Sequence, residues 1–253
     1  MTGWLKIVGL GPGPAGWLTP AAAAVLESAS DLVGYHPYVA RVPDHGQVRH
    51  ASDNRVEIDR ARHALALAAA GRRVAVVSGG DPGVFAMAAA VIEALEGGDP
   101  AWSELDIAIE PGITAMLAAA ARAGAPLGHD FAVLSLSDNL KPFETVIARI
   151  EAAARADFVL AFYNPISRAR PWQLGAAYEA LSRIRSAATP VILARAVGRP
   201  DEEVRVTTLA EAPHQEADMA TLVIVGSSET RLVARGHGRP AFVLTPRSYG
   251  AAP

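Results

Sequence analysis

The 253-residue chain carries 23 Lys and Arg against 26 Asp and Glu, a net charge of −3, and 51% of its residues are hydrophobic. That balance offers no basic face for nucleic acid, while the apolar content is enough for a substantial core in one large or two smaller domains. Cysteine is absent, which excludes disulfides, thiolate metal sites and cysteine nucleophiles and makes a cytoplasmic setting the expectation.

Met1-Thr2-Gly3-Trp4-Leu5-Lys6 leads straight into a strand-like run without the basic and apolar regions of a secretory signal. Apolar runs such as 84–92 and 115–121 fall short of the roughly 18–20 residues of a membrane span, so no membrane association is expected. Residues 5–10 read as a short strand running into Gly11-Pro12-Gly13-Pro14-Ala15-Gly16, and Thr19-Pro20 supplies an N-cap and a first-turn proline for an alanine-rich helix. Gly11, Gly13 and Gly16 satisfy G-x-G-x-x-G. A dinucleotide site is disfavoured because two prolines remove amide donors and no acidic residue follows the next strand near Val33-Gly34-Tyr35 to hold a ribose.

Residues 35–54 read as a polar loop with His36, His45 and His50. Their spacing gives no i, i+4 pair and no H-E-x-x-H, so no metal is expected. A helix is predicted over 57–70, ending at Gly71, and a strand over 73–77. That strand delivers Ser78-Gly79-Gly80-Asp81-Pro82-Gly83-Val84-Phe85, whose glycines permit positive φ and close approach of a ligand to the main chain. A helix over 84–96 and a strand over 105–109 follow, the latter ending in Glu110-Pro111-Gly112-Ile113-Thr114-Ala115. Three strand-to-helix turns bearing glycine thus fall on one carboxyl edge of a parallel sheet, where ligands bind.

Gly124-Ala125-Pro126-Leu127-Gly128 marks a domain boundary, giving domains 1–123 and 124–253. The second half is predicted to hold strands at 131–135, 158–162, 191–194, 204–207 and 221–225 and helices at 143–154 and 172–184, with 198–202 as a hairpin turn and hence a mixed sheet.

Taken in order, Val8-Gly9-Leu10-Gly11-Pro12-Gly13 with Leu18-Thr19, Gly79-Gly80-Asp81-Pro82, Pro111-Gly112-Ile113-Thr114-Ala115 and Thr221-Leu222-Val223-Ile224-Val225-Gly226 resemble the tetrapyrrole methylases, over residues 7–230. Val33-Gly34-Tyr35, His129-Asp130-Phe131-Ala132 with Ser135-Leu136-Ser137-Asp138, and Phe162-Tyr163-Asn164-Pro165 with Ser167 and Arg170 look like the branch that methylates precorrin-3B at C17. The chain departs from the family at Pro14, where many members carry aspartate, and at Ala196, where asparagine is more usual.

The resemblance implies two α/β domains, the first with a mostly parallel and the second with a mixed sheet, a ligand cleft between them, and a homodimer. It implies S-adenosylmethionine as methyl donor, with S-adenosylhomocysteine as product. The cofactor would be held by Gly79, Gly80, Asp81, Val84, Thr114, Ala115, Asn164, Val197, Thr221 and Leu222. The reaction implied is C-methylation of precorrin-3B, or of its oxidised lactone form, at C17 with ring contraction to precorrin-4 in cobalamin biosynthesis. Another precorrin or cobalt-precorrin C-methylation and non-catalytic tetrapyrrole binding are the alternatives. A sulfonium donor leaves as a neutral thioether, so positioning is expected to outweigh acid–base help. Tyr35, His36, Asp138 and Tyr163 are the candidate proton-moving groups for the contraction. Pro12, Gly13, Arg41, Arg168 and Arg170 are expected to face the polycarboxylate substrate.

Overall fold

The computed structural model describes residues 3–248, in two compact units, Met1–Thr114 and Ala115–Pro253. The first runs β1 (Trp4–Gly9), α1 (Pro20–Ser28), β2 (Asp31–Tyr35), α2 (His36–Val39), β3 (Val48–Ser52), α3 (Glu57–Ala69), β4 (Arg73–Ser78), α4 (Met87–Glu96) and β5 (Asp106–Glu110). Its sheet has the order β3-β2-β4-β1-β5, every pair parallel. Alternation along the strands explains why both faces are covered. Leu5, Ile7, Val33, Val74 and Val76 pack with the α3 and α4 residues Leu65 and Val91. Their neighbours Val8, Leu32, Ala75 and Val77 pack with Leu26 and Val39 of α1 and α2 on the other side.

Local chemistry sets the ends of these elements. Thr19 caps α1 by accepting from the Ala22 amide at 3.1 Å, with Pro20 as its first residue. Gly71, at φ +83°, ends the α3 segment. Helix α4 starts at Met87 instead of residue 84, because Phe85 is left-handed (φ +52°) and Ala86 is extended. The expected loop over 35–54 contains two elements, α2 and the edge strand β3. The strand has no apolar run to announce it; its Arg49 instead donates to the carbonyls of Val39 at 2.8 Å and Val42 at 2.9 Å.

The second unit contains α5 (Ala115–Ala123), β6 (Gly124–Ala125), β7 (Phe131–Ser135), α6 (Phe143–Arg155), β8 (Val159–Tyr163), α7 (Gln173–Ser182), β9 (Pro190–Arg195), β10 (Glu203–Thr208), β11 (Thr221–Val225), β12 (Arg231–Val233) and β13 (Phe242–Leu244). The main sheet, β10-β9-β11-β8-β7, is mixed: β7 and β8 are parallel and the other pairs antiparallel. Leu160, Phe162, Leu193 and Val223 form its core with Ile150 of α6 and Leu174 and Leu181 of α7. A small sheet, β12-β13-β6, was not expected from the sequence.

The division between units falls after Thr114, not at Gly124. Helix α5, with Met116, Ala119 and Ala123 buried, packs against β10 and β11 and runs directly into β6, which ties it to the second unit. Among the described residues no helix is long and apolar enough to cross a membrane.

Candidate functional site

In the first unit the turns after β1, β4 and β5 meet on the carboxyl edge, since those three strands are neighbours. Gly11 and Gly80 exchange both backbone hydrogen bonds, at 3.0 and 3.1 Å. A Cβ on Gly9 would come within 2.6 Å of the Gly112 nitrogen, and one on Gly112 within 2.3 Å of the Gly80 oxygen, so only glycine lets the three loops approach this closely.

The Asp81 carboxylate links two of these turns. Oδ1 accepts from the Gly83 amide at 2.8 Å and Oδ2 from the Gly112 amide at 3.0 Å. The amides of Gly80 and Gly112 therefore point into the loop cluster. Those two amides already have protein acceptors, the Gly11 carbonyl and the Asp81 carboxylate. Thr114 is buried, at 7% exposure, at the end of this unit. Val84 is half-buried beside Phe85, whose ring is 53% exposed on the left-handed backbone noted above.

Arg41 is likewise engaged with protein groups. Its Nη2 donates to the carbonyls of Leu10 and Gly11, each at 3.0 Å, and of Gly13 at 3.4 Å. Tyr35 precedes α2 and meets Tyr38 edge-on at 5.6 Å. His36 is exposed, 3.9 Å from Asp53.

His50 is a β3 residue, not a loop residue, and lies away from the glycine turns. Its Nε2 is 2.9 Å from Asp31 Oδ1 and its Nδ1 is 3.1 Å from His63 Nε2. An ionised Asp31 can only accept, so His50 donates to it through Nε2, while its Nδ1 shares a hydrogen bond with His63 Nε2. Among the described residues no group of three or more His, Asp or Glu is placed to hold a metal ion.

In the second unit, Asn164, Val197, Thr221 and Leu222 lie at one end of the main sheet. β11 runs antiparallel to β9 and β8, so Thr221 faces Arg195 at the end of β9 and lies level with the end of β8. Asn164 is left-handed (φ +51°), and its Nδ2 donates to Ser135 Oγ at the end of β7, 2.9 Å away. Tyr163 OH accepts from the Met116 amide at 3.0 Å, satisfying one of the open N–H groups in the first turn of α5, which begins at Ala115. Ala196 (φ +49°) and Gly198 (φ +83°) flank the buried Val197. The Thr221 hydroxyl donates to Asp218 at 2.8 Å.

Asp138 and Arg170, expected in different roles, form an ion pair at 2.6 Å, and Arg170 also reaches the Asn139 side chain. This pair joins the turns after β7 and β8. Arg168 is exposed. Two cavities within the units, of about 420 and 370 Å³, are lined by no residue of the glycine turns. Three residues at or beside the sheet edges went unassigned from the sequence: Tyr38, Phe85 and Ser135. Phe85, in the Gly-Gly-Asp-Pro-Gly-Val-Phe run, and Ser135, in the Ser-Leu-Ser-Asp stretch, lie in motifs that could have marked them; Tyr38 does not.

Residues 5–213 match the family of tetrapyrrole (corrin/porphyrin) methylases. The chain is 57% identical, over its full length and 99% of the relative, to a precorrin-3B C(17)-methyltransferase from Sinorhizobium sp.. It superposes on the crystal structure of the methyltransferase CobJ with a TM-score of 0.91 and 52% identity, over 96% of this chain and all of that one. The uroporphyrin-III C-methyl transferase of Thermus thermophilus, solved with S-adenyl homocysteine, shares the fold, with a TM-score of 0.67 at 22% identity over 88% of this chain and 97% of that one. With its parallel glycine-turn sheet, its mixed second sheet and these full-length matches, the chain belongs to the tetrapyrrole methylases.

Proposed function

We propose that this methylase transfers a methyl group from S-adenosylmethionine to C17 of precorrin-3B, with contraction of the macrocycle to precorrin-4. The observation that carries the reading is the 57% identity along the whole chain to a relative of that named activity. The residues fit the cofactor on conformational grounds. Six non-glycine residues have positive φ among those described, and three of them, Phe85, Asn164 and Ala196, are or adjoin the assigned positions Val84, Asn164 and Val197. Left-handed backbone at non-glycine residues costs of order 1–3 kcal/mol each and collects at binding sites.

Within this reading Gly79, Gly80, Asp81, Val84 and Thr114 of the first unit, and Ala115, Asn164, Val197, Thr221 and Leu222 of the second, hold the cofactor. Bound, it supplies an electrophilic methyl whose leaving group is neutral. The chain's share is to orient and to exclude water, worth up to roughly 7–11 kcal/mol, against about 3–5 kcal/mol for one general acid or base. Tyr35, His36, Asp138 and Tyr163 remain the groups available to move protons in the contraction. Asp138 acts there as a carboxylate already paired with Arg170, and Tyr163 as a phenol already accepting from a helix amide.

A single-turnover reaction with methyl-labelled cofactor and precorrin-3B is expected to place the label on C17, read by NMR of the product. Label on another carbon would reassign the reaction, and no transfer to any precorrin would remove the enzymatic reading. Sedimentation is expected to give twice the 26.4 kDa chain mass, as a homodimer requires; a monomer mass would refute that part.

Of the arginines assigned to substrate, Arg168 is the exposed one. Arg168→Ala is expected to raise KM for the macrocycle roughly tenfold, the worth of one charge-assisted contact, and to leave cofactor affinity alone. An unchanged KM would take Arg168 out of the site.

A further inference from the structure

The short helix α2 and the residues that follow it contact both glycine turns that carry the assigned ligand positions, after β1 and after β4. A Cβ added to Gly79 would approach Tyr38 Cε1 and Cζ to 2.7 Å, so the Tyr38 ring lies directly against that main chain. Three residues on, Arg41 donates from a single Nη2 to the carbonyls of Leu10, Gly11 and Gly13. The Arg41 amide in turn donates to the Tyr38 carbonyl at 3.1 Å, so the two residues belong to one helical turn.

The first loop needs such support. Pro12 and Pro14 have no N–H with which to close a turn, and Gly11 sits at φ +65°. Three carbonyl dipoles converging on one point repel each other unless a donor occupies it, and a cationic N–H answers that need best. The Gly11 carbonyl also accepts from Gly80 at 3.0 Å, which passes the position of the first loop on to the second.

We infer that Tyr38 and Arg41 are positioning residues for methyl transfer: Arg41 fixes the carbonyls of the substrate-facing loop through its guanidinium, and Tyr38 fixes the cofactor loop through its ring. The inference rests on the reading that Pro12 and Gly13 face the macrocycle and Gly79 the cofactor. It also moves Arg41 from a substrate contact to a residue acting through the loop.

The test is chemical. Arg41→Ala is expected to raise macrocycle KM about tenfold or more, since misplacing a binding element by an ångström costs up to 10²-fold. Added guanidinium is expected to restore most of the loss, and Arg41→Lys to retain part of it. Tyr38→Phe is expected to keep the cofactor Kd measured by calorimetry, whereas Tyr38→Leu raises it roughly tenfold by removing the ring that the loop rests on.

A loss in Arg41→Ala that guanidinium does not restore, in protein that melts within a few degrees of the parent, overturns the inference. So does a Tyr38→Leu variant with unchanged Kd. Gly13→Val separates a failure of the positioning role from a failure of the substrate-facing loop. If it leaves macrocycle KM alone, the loop does not face substrate and the underlying reading fails. If it raises KM while Arg41→Ala does not, the inference alone fails.

Discussion

Asp81→Asn is expected to weaken S-adenosylmethionine binding roughly ten- to hundredfold, although it removes only a charge and keeps the shape of the side chain. The carboxylate accepts from Gly83 at 2.8 Å and from Gly112 at 3.0 Å, one amide on each oxygen. An asparagine offers one oxygen and one NH2, so one amide would face another donor across hydrogen-bond distance. Hydrogen bonds to a charged group are worth about 1.5–3 kcal/mol, which is the stated range in affinity if the cofactor requires the loop arrangement. Asp81→Glu restores the charge but adds a methylene that displaces both oxygens, and is expected to recover little. Isothermal titration of each variant, with the melting temperature as control, is the measurement. A Kd within threefold of the parent in Asp81→Asn would show that this link between turns serves the fold and not the cofactor.

The same residue shows what was legible in the sequence and what was not. Strand, turn and helix could be read because Val74 to Val77, the glycines after them and the alanine-rich run differ sharply in composition. Repetition of that pattern after β1 and β5 placed all three turns on one edge. What the turns do with their donors is a matter of contacts between residues far apart in the chain. Nothing in the order of residues says that the Gly80 amide meets Gly11, or that the Gly112 amide meets Asp81.

Arginines show the same limit. Their charge is visible in the sequence but their partners are not: nothing in the order of residues says that Arg41 donates to loop carbonyls or that Arg170 pairs with Asp138. Strand β3 escaped notice for a related reason. An edge strand buries little, and Val48-Arg49-His50-Ala51-Ser52 is held by pairing with β2 and by polar side chains instead of an apolar stripe. Helix α5 clusters with the second unit because its buried face packs on strands β10 and β11, far ahead of it in the chain, which no local pattern in the sequence signals.

Asp31 is expected to be the costliest polar residue to remove for stability. It begins β2 at 1% exposure and gathers Ser30 Oγ at 2.7 Å, Arg72 Nε at 2.8 Å and His50 Nε2 at 2.9 Å. Those partners tie the amino-terminal ends of β2 and β4 to the edge strand β3, at the opposite end of the sheet from the glycine turns. Breaking a fully buried pair costs about 3–5 kcal/mol; Arg72 stays half-exposed and can return to water, so Asp31→Ala is placed lower, at about 2–3 kcal/mol. In a chain of this size that lowers Tm by roughly 5–10 °C. Cofactor affinity of the folded variant should be unchanged, and a large change would mean that this end of the sheet is coupled to the turns.

The pH dependence adds a second test, with its sign fixed by two shifts. Burial works against the charge of Asp31, but hydrogen bonds from Arg72, His50 and Ser30 together outweigh it and hold the carboxyl below its ordinary 3.8. Its stabilisation is therefore complete above about pH 4 and is lost as the pH falls through the lowered folded value. His63 moves the other way in effect: burial first, then the neighbouring His50, lower it from 6.5, against a smaller opposing pull from Asp31. Folded protein resists that proton, so stability begins to fall as the pH drops below 6.5 and levels off beneath the lowered folded value. Acid unfolding is thus expected in two steps, with His63→Gln removing the upper one and Asp31→Asn the lower. Chemical denaturation from pH 7.5 to 3, run in ~0.5-unit steps fine enough to separate the two ordinary values, would reject the scheme if Asp31→Asn lost the upper step and kept the lower.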